Sequence, residues 1–168
     1  MHTIVIGVVG LVVLAGAVAA VAATNDHLLA VGSKAPDVTL KTATGEDVKL
    51  SEFVGKSAVV LVFYPGDETP VCTQQLCEIR DGYGRFAEKG AVVFGVNPAT
   101  ATSHEKFAEH RKLPFPLLVD DGGVATKLFG CAGFIMLQRT VYVIGKDGAI
   151  IYAKRGKPPV SEILNALP

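Results

Sequence analysis

The sequence predicts an α/β domain, a mixed central sheet flanked by helices, preceded by one N-terminal apolar helix that spans a membrane or serves as a signal. Three observations predict it. Between residues 36 and 168, short Val-rich runs alternate with segments of helical periodicity. The strand pairs at the two ends of this region are joined by Gly-containing turns, which puts antiparallel strands at the edges of the sheet. From Thr3 to Ala23 no side chain carries a charge.

The apolar stretch comes first, within a segment assigned to residues 1–24. A spanning helix needs about 20 apolar residues and a signal-peptide core only ~7–15, so the length of residues 4–23 favours a membrane anchor. The alternative is a signal cleaved near Ala23, since "AVAAVAAT" carries suitably small residues and no Lys/Arg cluster follows it. Either reading delivers the remaining domain outside the cytoplasm. A connection, residues 25–35, leads into the domain at 36–168.

Within that domain, "VTLKTATGEDVKL" reads as a hairpin. "SAVVLVFYP" is a continuous apolar run, the mark of a central strand covered on both faces. From Pro70 to about Glu88 the pattern is helical, with Leu76, Ile79, Tyr83 and Phe86 recurring at steps of three and four. "GAVVFGVNP" reads as a second buried strand, "TSHEKFAEHRK" as a charged helix opened by a Thr/Ser cap, and "FPLLVDD" as a short strand. "GGVATKLFG" gives a short helix, "RTVYVIGKDGAIIYAKRG" a hairpin turning at "GKDG", and "PVSEILNAL" a closing helix.

Composition narrows the function classes. The 168 residues suit one well-buried domain. Sixteen basic residues balance sixteen acidic ones and are scattered, so no nucleic-acid partner is expected. Three cysteines are too few for a disulfide-stapled scaffold, and the odd number leaves at least one thiol free or conditionally paired.

Two of the three lie in "PGDETPVCTQQLC", Pro65 to Cys77. Thr69 and Pro70 form a helix start, because Thr is a good cap and Pro suits the first helical position. Cys72 then sits in the first turn, where unpaired N–H groups and the helix dipole favour an anion. A strand ending in "YP" puts this turn at a strand's carboxyl end, a common place for sites in α/β sheets. These features fit a nucleophile, and an ordinary buried cysteine fits them about as well. On an intact helix, Cys72 and Cys77 would have Cα atoms about 8.7 Å apart and Cβ vectors diverging by about 140°. A disulfide wants less than ~7 Å, so the pair cannot bridge while the helix is whole. The spacing also differs from zinc knuckles and two-residue redox motifs, and no metal is expected. Cys131 in "LFGCAG" reads as a buried small hydrophobe, with a second resolving or intermolecular thiol as the alternative. The four histidines read as surface or capping residues, His104 and His110 lying on the charged helix.

"YPGDETPVCTQQLCEIRD" resembles the active-site segment of the peroxiredoxins of the Q-type, or bacterioferritin-comigratory-protein, group. The resemblance continues through "GAVVFGVN", "SHEKFAEH", "LPFPLLVD", "KLFG" and "RTVYVI". It implies a thioredoxin-like fold and a thiol peroxidase acting on hydrogen peroxide and organic hydroperoxides, without a cofactor. Cys72 would be the peroxidatic cysteine, passing through a sulfenic acid. Thr69 would orient thiolate and peroxide, and Pro65 would shield the sulfur from water. Arg139 matches the family's active-site arginine; a fixed cation beside a thiol favours its ionised form and stabilises charge on a departing oxygen. Cys77 would be the resolving cysteine, forming an intramolecular disulfide that a thioredoxin-like dithiol reduces. Many members of the group are monomers.

Gly66, Val71 and "GVNP" depart from the group's commoner residues, and the apolar N-terminal stretch departs further. Two other readings therefore stand beside the peroxidase. One is an exported thiol–disulfide oxidoreductase. The other is an accessory redox-domain subunit docked on a larger membrane complex.

Overall fold

The run "AVVLVF" forms strand β3 (Ala58–Phe63), buried along its whole length. Ala58, Val60 and Val62 enter one hydrophobic cluster, and Val59, Leu61 and Phe63 enter another on the opposite face. This two-faced burial is what a continuous apolar run anticipates. The structure is a computed structural model and describes residues 27–168. The apolar segment 4–23, read as anchor or signal, lies outside the described residues. Among the described residues no helix is long and apolar enough to cross a membrane.

Around β3 stand β1 (Thr39–Thr42), β2 (Asp47–Lys49), β4 (Ala91–Asn97), β5 (Leu117–Val119), β6 (Thr140–Ile144) and β7 (Ile150–Arg155). They form a seven-stranded sheet in the order β2-β1-β5-β4-β3-β6-β7. β3 pairs parallel with β4 and β4 with β5, while the outer pairings are antiparallel. The sheet is mixed, with the two hairpins at its ends. Helices α1 (Pro70–Asp81), α2 (Tyr83–Glu88), α3 (Ala101–Arg111) and α5 (Val160–Ala166) send Leu76, Phe86, Phe107 and Ile163 into one cluster. α4 (Val124–Leu128) and the residues after it, Phe129 and Cys131, help close the other.

Residues 70 to 88 form two helices where the periodicity predicts one. Gly82 divides them, and its N–H still reaches the Glu78 and Ile79 carbonyls. A Cβ there would stand 3.1 Å from Val160 Cγ1, so glycine permits the close approach of α5. The apolar spacing runs through the joint unchanged, which hides the break from periodicity. The cap of α3 also lies earlier than "TS": Thr100 accepts from the Ser103 N–H at 3.3 Å, which frees the Ser103 hydroxyl for another partner.

Residues 29 to 35 run along the last hairpin. Lys34 bridges to Ala149, the Gly32 N–H donates to the Ile150 carbonyl, and the Leu29 N–H donates to the Tyr142 hydroxyl at 3.0 Å.

Gly95 in β4 is required for space. A Cβ would lie 2.6 Å from Leu117 Cδ2 and 3.1 Å from Tyr64 Cε1. Gly95→Ala is expected to destabilise the fold by about 1–3 kcal/mol, the usual cost of overpacking. Urea unfolding measures it; an unchanged midpoint would show that Tyr64 and Leu117 repack freely.

Candidate active site

At the carboxyl end of β3 the chain leaves the sheet through Tyr64 and a short loop, Pro65 to Thr69, and enters α1. Pro70 occupies the first turn and Thr69 the cap position, with extended backbone at φ −75° and ψ 146°. Cys72 is the third helical residue and is 1% exposed. Arg139 Nη2 donates to Cys72 Sγ at 3.0 Å, across 67 positions of sequence. The second prong of the same guanidinium, Nη1, donates to Gln75 Oε1 one turn along α1. The Arg139 carbonyl accepts from the Gly156 N–H at 2.8 Å, which ties its backbone to the end of the β6–β7 ladder. A forked cation held at three points thus gives the sulfur a fixed positive charge and an N–H donor, the electrostatic complement of a thiolate.

Gln75 is itself buried, and its Nε2 has no hydrogen-bond partner among the described residues. It is an unused donor on the side chain that orients Arg139. Nothing in the local sequence marks Gln75; its place one turn from Cys72 is the one signal that would have found it.

The other expected site residues fall as follows. Pro65 is half-buried in the loop that leads to α1. Thr69 is exposed and its hydroxyl donates to the Gly66 carbonyl at 3.3 Å, so it is turned into the loop and makes no side-chain cap. Cys77 shares α1 with Cys72, is half-buried, and is free, as are Cys72 and Cys131. The helix between the two thiols is unbroken. Cys131 lies in the cluster on the other face of the sheet from Cys72. Burial pushes its thiol up to about 11 against the opposing pull of Thr140 and Arg155, which suits a packing role better than a reactive one.

A buried polar cluster behind the loop is the part that sequence reasoning missed. Asp67 Oδ1 accepts from the Tyr64 hydroxyl at 2.8 Å and from Asn97 Nδ2 at 2.9 Å. Its Oδ2 accepts from Ser103 Oγ at 2.6 Å and meets His104 Nδ1 at 2.9 Å. His104 is wholly buried, contrary to its reading as a surface residue, and its Nε2 faces the Leu118 carbonyl at 3.2 Å. Burial alone would push the Asp67 carboxyl up, but the His104, Ser103 and Tyr64 donors outweigh it and hold it at about 2. The cluster is a buried hydrogen-bonded network that fastens the loop before Cys72 to β4, α3 and β5. Glu68, at φ 55°, adds an exposed tie through Arg111 and His110. The available signal for His104 was its spacing three residues before the buried Phe107.

His104→Phe keeps a ring and strips Asp67 of its imidazole partner. An expected loss of about 3 kcal/mol follows from leaving a buried carboxylate short of its partner, and urea unfolding reads it. Because Asp67 sits below its ordinary value of 3.8, its contribution is fully present above that pH and is lost as pH falls toward 2. The acid limb of a pH–stability curve should therefore flatten in Asp67→Asn.

With this geometry in place, comparison with known proteins adds the following. The AhpC/TSA family profile matches residues 31–153. A peroxiredoxin Bcp of Bacillus subtilis is 40% identical over 148 residues, covering 82% of this chain and 94% of that protein. A chloroplastic peroxiredoxin Q of Triticum aestivum is 44% identical over 128 residues, 72% of this chain and 57% of the longer plant protein. The crystal structure of the peroxidoxin BcpB from Mycobacterium tuberculosis superposes with a TM-score of 0.77 at 31% identity, covering 84% of this chain and 97% of that one.

Proposed function

Because this chain belongs to the AhpC/TSA family, as a thioredoxin-fold peroxiredoxin of the Bcp/Q group, we propose that it reduces hydrogen peroxide and organic hydroperoxides at Cys72 and resolves the product with Cys77. The observation that carries the assignment to Cys72 is the Arg139 contact at 3.0 Å on a first-turn cysteine. In the first step the Cys72 thiolate attacks the terminal peroxide oxygen. An S–O bond forms, the O–O bond breaks, and the alkoxide or hydroxide leaves and takes up a proton. Arg139 is placed to stabilise charge on both sulfur and oxygen. Cys72 is then a sulfenic acid, two electrons more oxidised.

In the second step the Cys77 thiolate attacks that sulfur, an S–S bond forms, the S–O bond breaks, and hydroxide leaves and takes up a proton to become water. The intact α1 keeps the thiols apart, so its first turns must unwind before this step. A thioredoxin-like dithiol then takes the disulfide back to two thiols and is itself oxidised. Peroxide-dependent NADPH oxidation through thioredoxin and its reductase tests the cycle; no consumption beyond the enzyme-free rate would overturn it. In Cys77→Ser, peroxide should leave Cys72 as a sulfenic acid trapped by dimedone, and thioredoxin-coupled turnover should cease. Mass spectrometry showing a Cys72–Cys131 disulfide in that variant would reassign the resolving role.

The same proposal holds the domain at a membrane through residues 4–23, on the extracytoplasmic side. Intact mass of the mature protein distinguishes this from cleavage near Ala23.

A further inference from the structure

The loop between α4 and β6 carries a projecting apolar tip. Phe134 is 103% exposed, Ile135 85% and Met136 63%. The residues on either side are firmly held. Gln138 N–H donates to the Cys131 carbonyl at 2.7 Å, which closes the base. A Cβ on Gly133 would collide with the Met136 carbonyl, so the two arms of the loop touch. Cys131 and Leu137 are buried at its root. A closed, anchored loop that turns three consecutive large apolar side chains to the outside is built to meet an apolar partner.

Two facts identify that partner. The first is the direction of the N-terminal connection. Traced backward, the chain passes Ala149 at Lys34, Ile150 at Gly32 and Tyr142 at Leu29. On β6, Tyr142 lies nearer than Ile144 to Thr140, which pairs with Phe63 at the carboxyl end of β3, where the Cys72 loop begins. The same Tyr142 hydroxyl donates to the Phe129 carbonyl at 2.7 Å, so the chain at Leu29 stands beside the end of α4. Leu29 packs in the same cluster as Phe129, Cys131 and Leu137, the root of the projecting loop. Covalent geometry limits Ala23 to within about 14 Å of His27. The apolar stretch therefore ends six residues before Leu29, which packs on the cluster at the root of the projecting loop. The second fact is charge. Between Asp121 and Asp147 the chain has no carboxylate side chain, and Lys127 precedes the loop on α4. Such a stretch brings no anionic side chain of its own to a lipid headgroup layer.

We propose that Phe134, Ile135 and Met136 insert into the interface of the lipid bilayer that residues 4–23 enter, and turn the Cys72 site toward the lipid surface. The inference rests on the membrane-anchor reading above and is independent of the peroxidase chemistry. The loop is a second, shallow contact beside the anchor, with an apolar tip seated at headgroup depth.

The chain has no tryptophan, so Phe134→Trp in the full-length protein is a single reporter. Reconstituted in phosphatidylcholine/phosphatidylglycerol vesicles, its emission should shift to the blue and be quenched at least about twofold when the lipids carry bromine near the headgroup end of the acyl chain. Ile135→Asp in the same background should abolish the quenching. It should also lower the ratio of the rate on a vesicle-borne fatty-acid hydroperoxide to the rate on hydrogen peroxide. Three results would overturn the proposal. They are emission at the position of free aqueous tryptophan with the protein in the vesicle fraction, a blue shift without bromine quenching that accompanies dimers in detergent, and a chain that fails to float with vesicles. Hydrogen peroxide turnover that persists in any of these cases leaves the peroxidase reading intact and removes only this one.

Discussion

Cys72→Ser should lower peroxide reduction by roughly 10³-fold or more, to the rate without enzyme, while leaving the folded domain in place. A hydroxyl at this position keeps the size and the first-turn location and loses the chemistry, because a serine oxygen neither takes up the peroxide oxygen nor forms the disulfide through which the cycle is reduced. The sulfur is 1% exposed and packs with Val60, Leu76 and Val141 in one core cluster, so the substitution removes little volume. Rapid-mixing consumption of hydrogen peroxide with the thioredoxin system measures the effect. Equal rates for the two proteins would remove Cys72 from the mechanism and leave Cys77 or Cys131 to explain any turnover.

Arg139→Met should be the next most damaging change, with the second-order rate of Cys72 oxidation down by about 10²–10³-fold. Methionine retains the packing of the stem and removes both prongs of the fork. Arg139→Lys separates charge from geometry. A single ammonium keeps the positive charge but cannot reproduce the planar fork that reaches Cys72 Sγ and Gln75 Oε1 together. The lysine variant should therefore fall between wild type and methionine. Stopped-flow oxidation under single-turnover conditions isolates the step from the reductant. If Lys restored the full rate, charge alone would be the contribution; if Met had no effect, the guanidinium would be merely structural.

Much of the fold could be read from local pattern, because its determinants are local. The Val-rich run of β3 has one workable environment, a strand covered on both faces, and the Gly-containing turns leave the edge strands antiparallel. The helix start at Thr69 and Pro70 was equally legible, since proline's missing N–H is harmless only there. Cys72 gained meaning from that position. Arg139 had no local sign at all: its partner lies 67 residues away, and a charged residue beside a strand reads as solvated unless the family resemblance is brought in. Asp67 and His104 were less legible still. Their pairing needs the loop after β3, the start of α3 and the carbonyl of Leu118 in one place. The charged neighbours of His104 on α3 disguised its inward face. The Thr69 hydroxyl shows the reverse, a good cap residue whose side chain serves the Gly66 carbonyl.

The break at Gly82 bears on how much of the protein a reaction cycle disturbs. Helices melt cooperatively, so unwinding that begins at one end of a continuous helix tends to travel along it. Here α1 ends at Asp81, and α2 starts afresh with Phe86 wholly buried in the core. α1 is then its own cooperative unit, able to open at a free energy well below that of the whole domain. Amide exchange should divide at this joint, fast from Thr73 to Cys77 after oxidation and unchanged at Phe86. On the proposed mechanism, Gly82 is the boundary that confines the unwinding to α1.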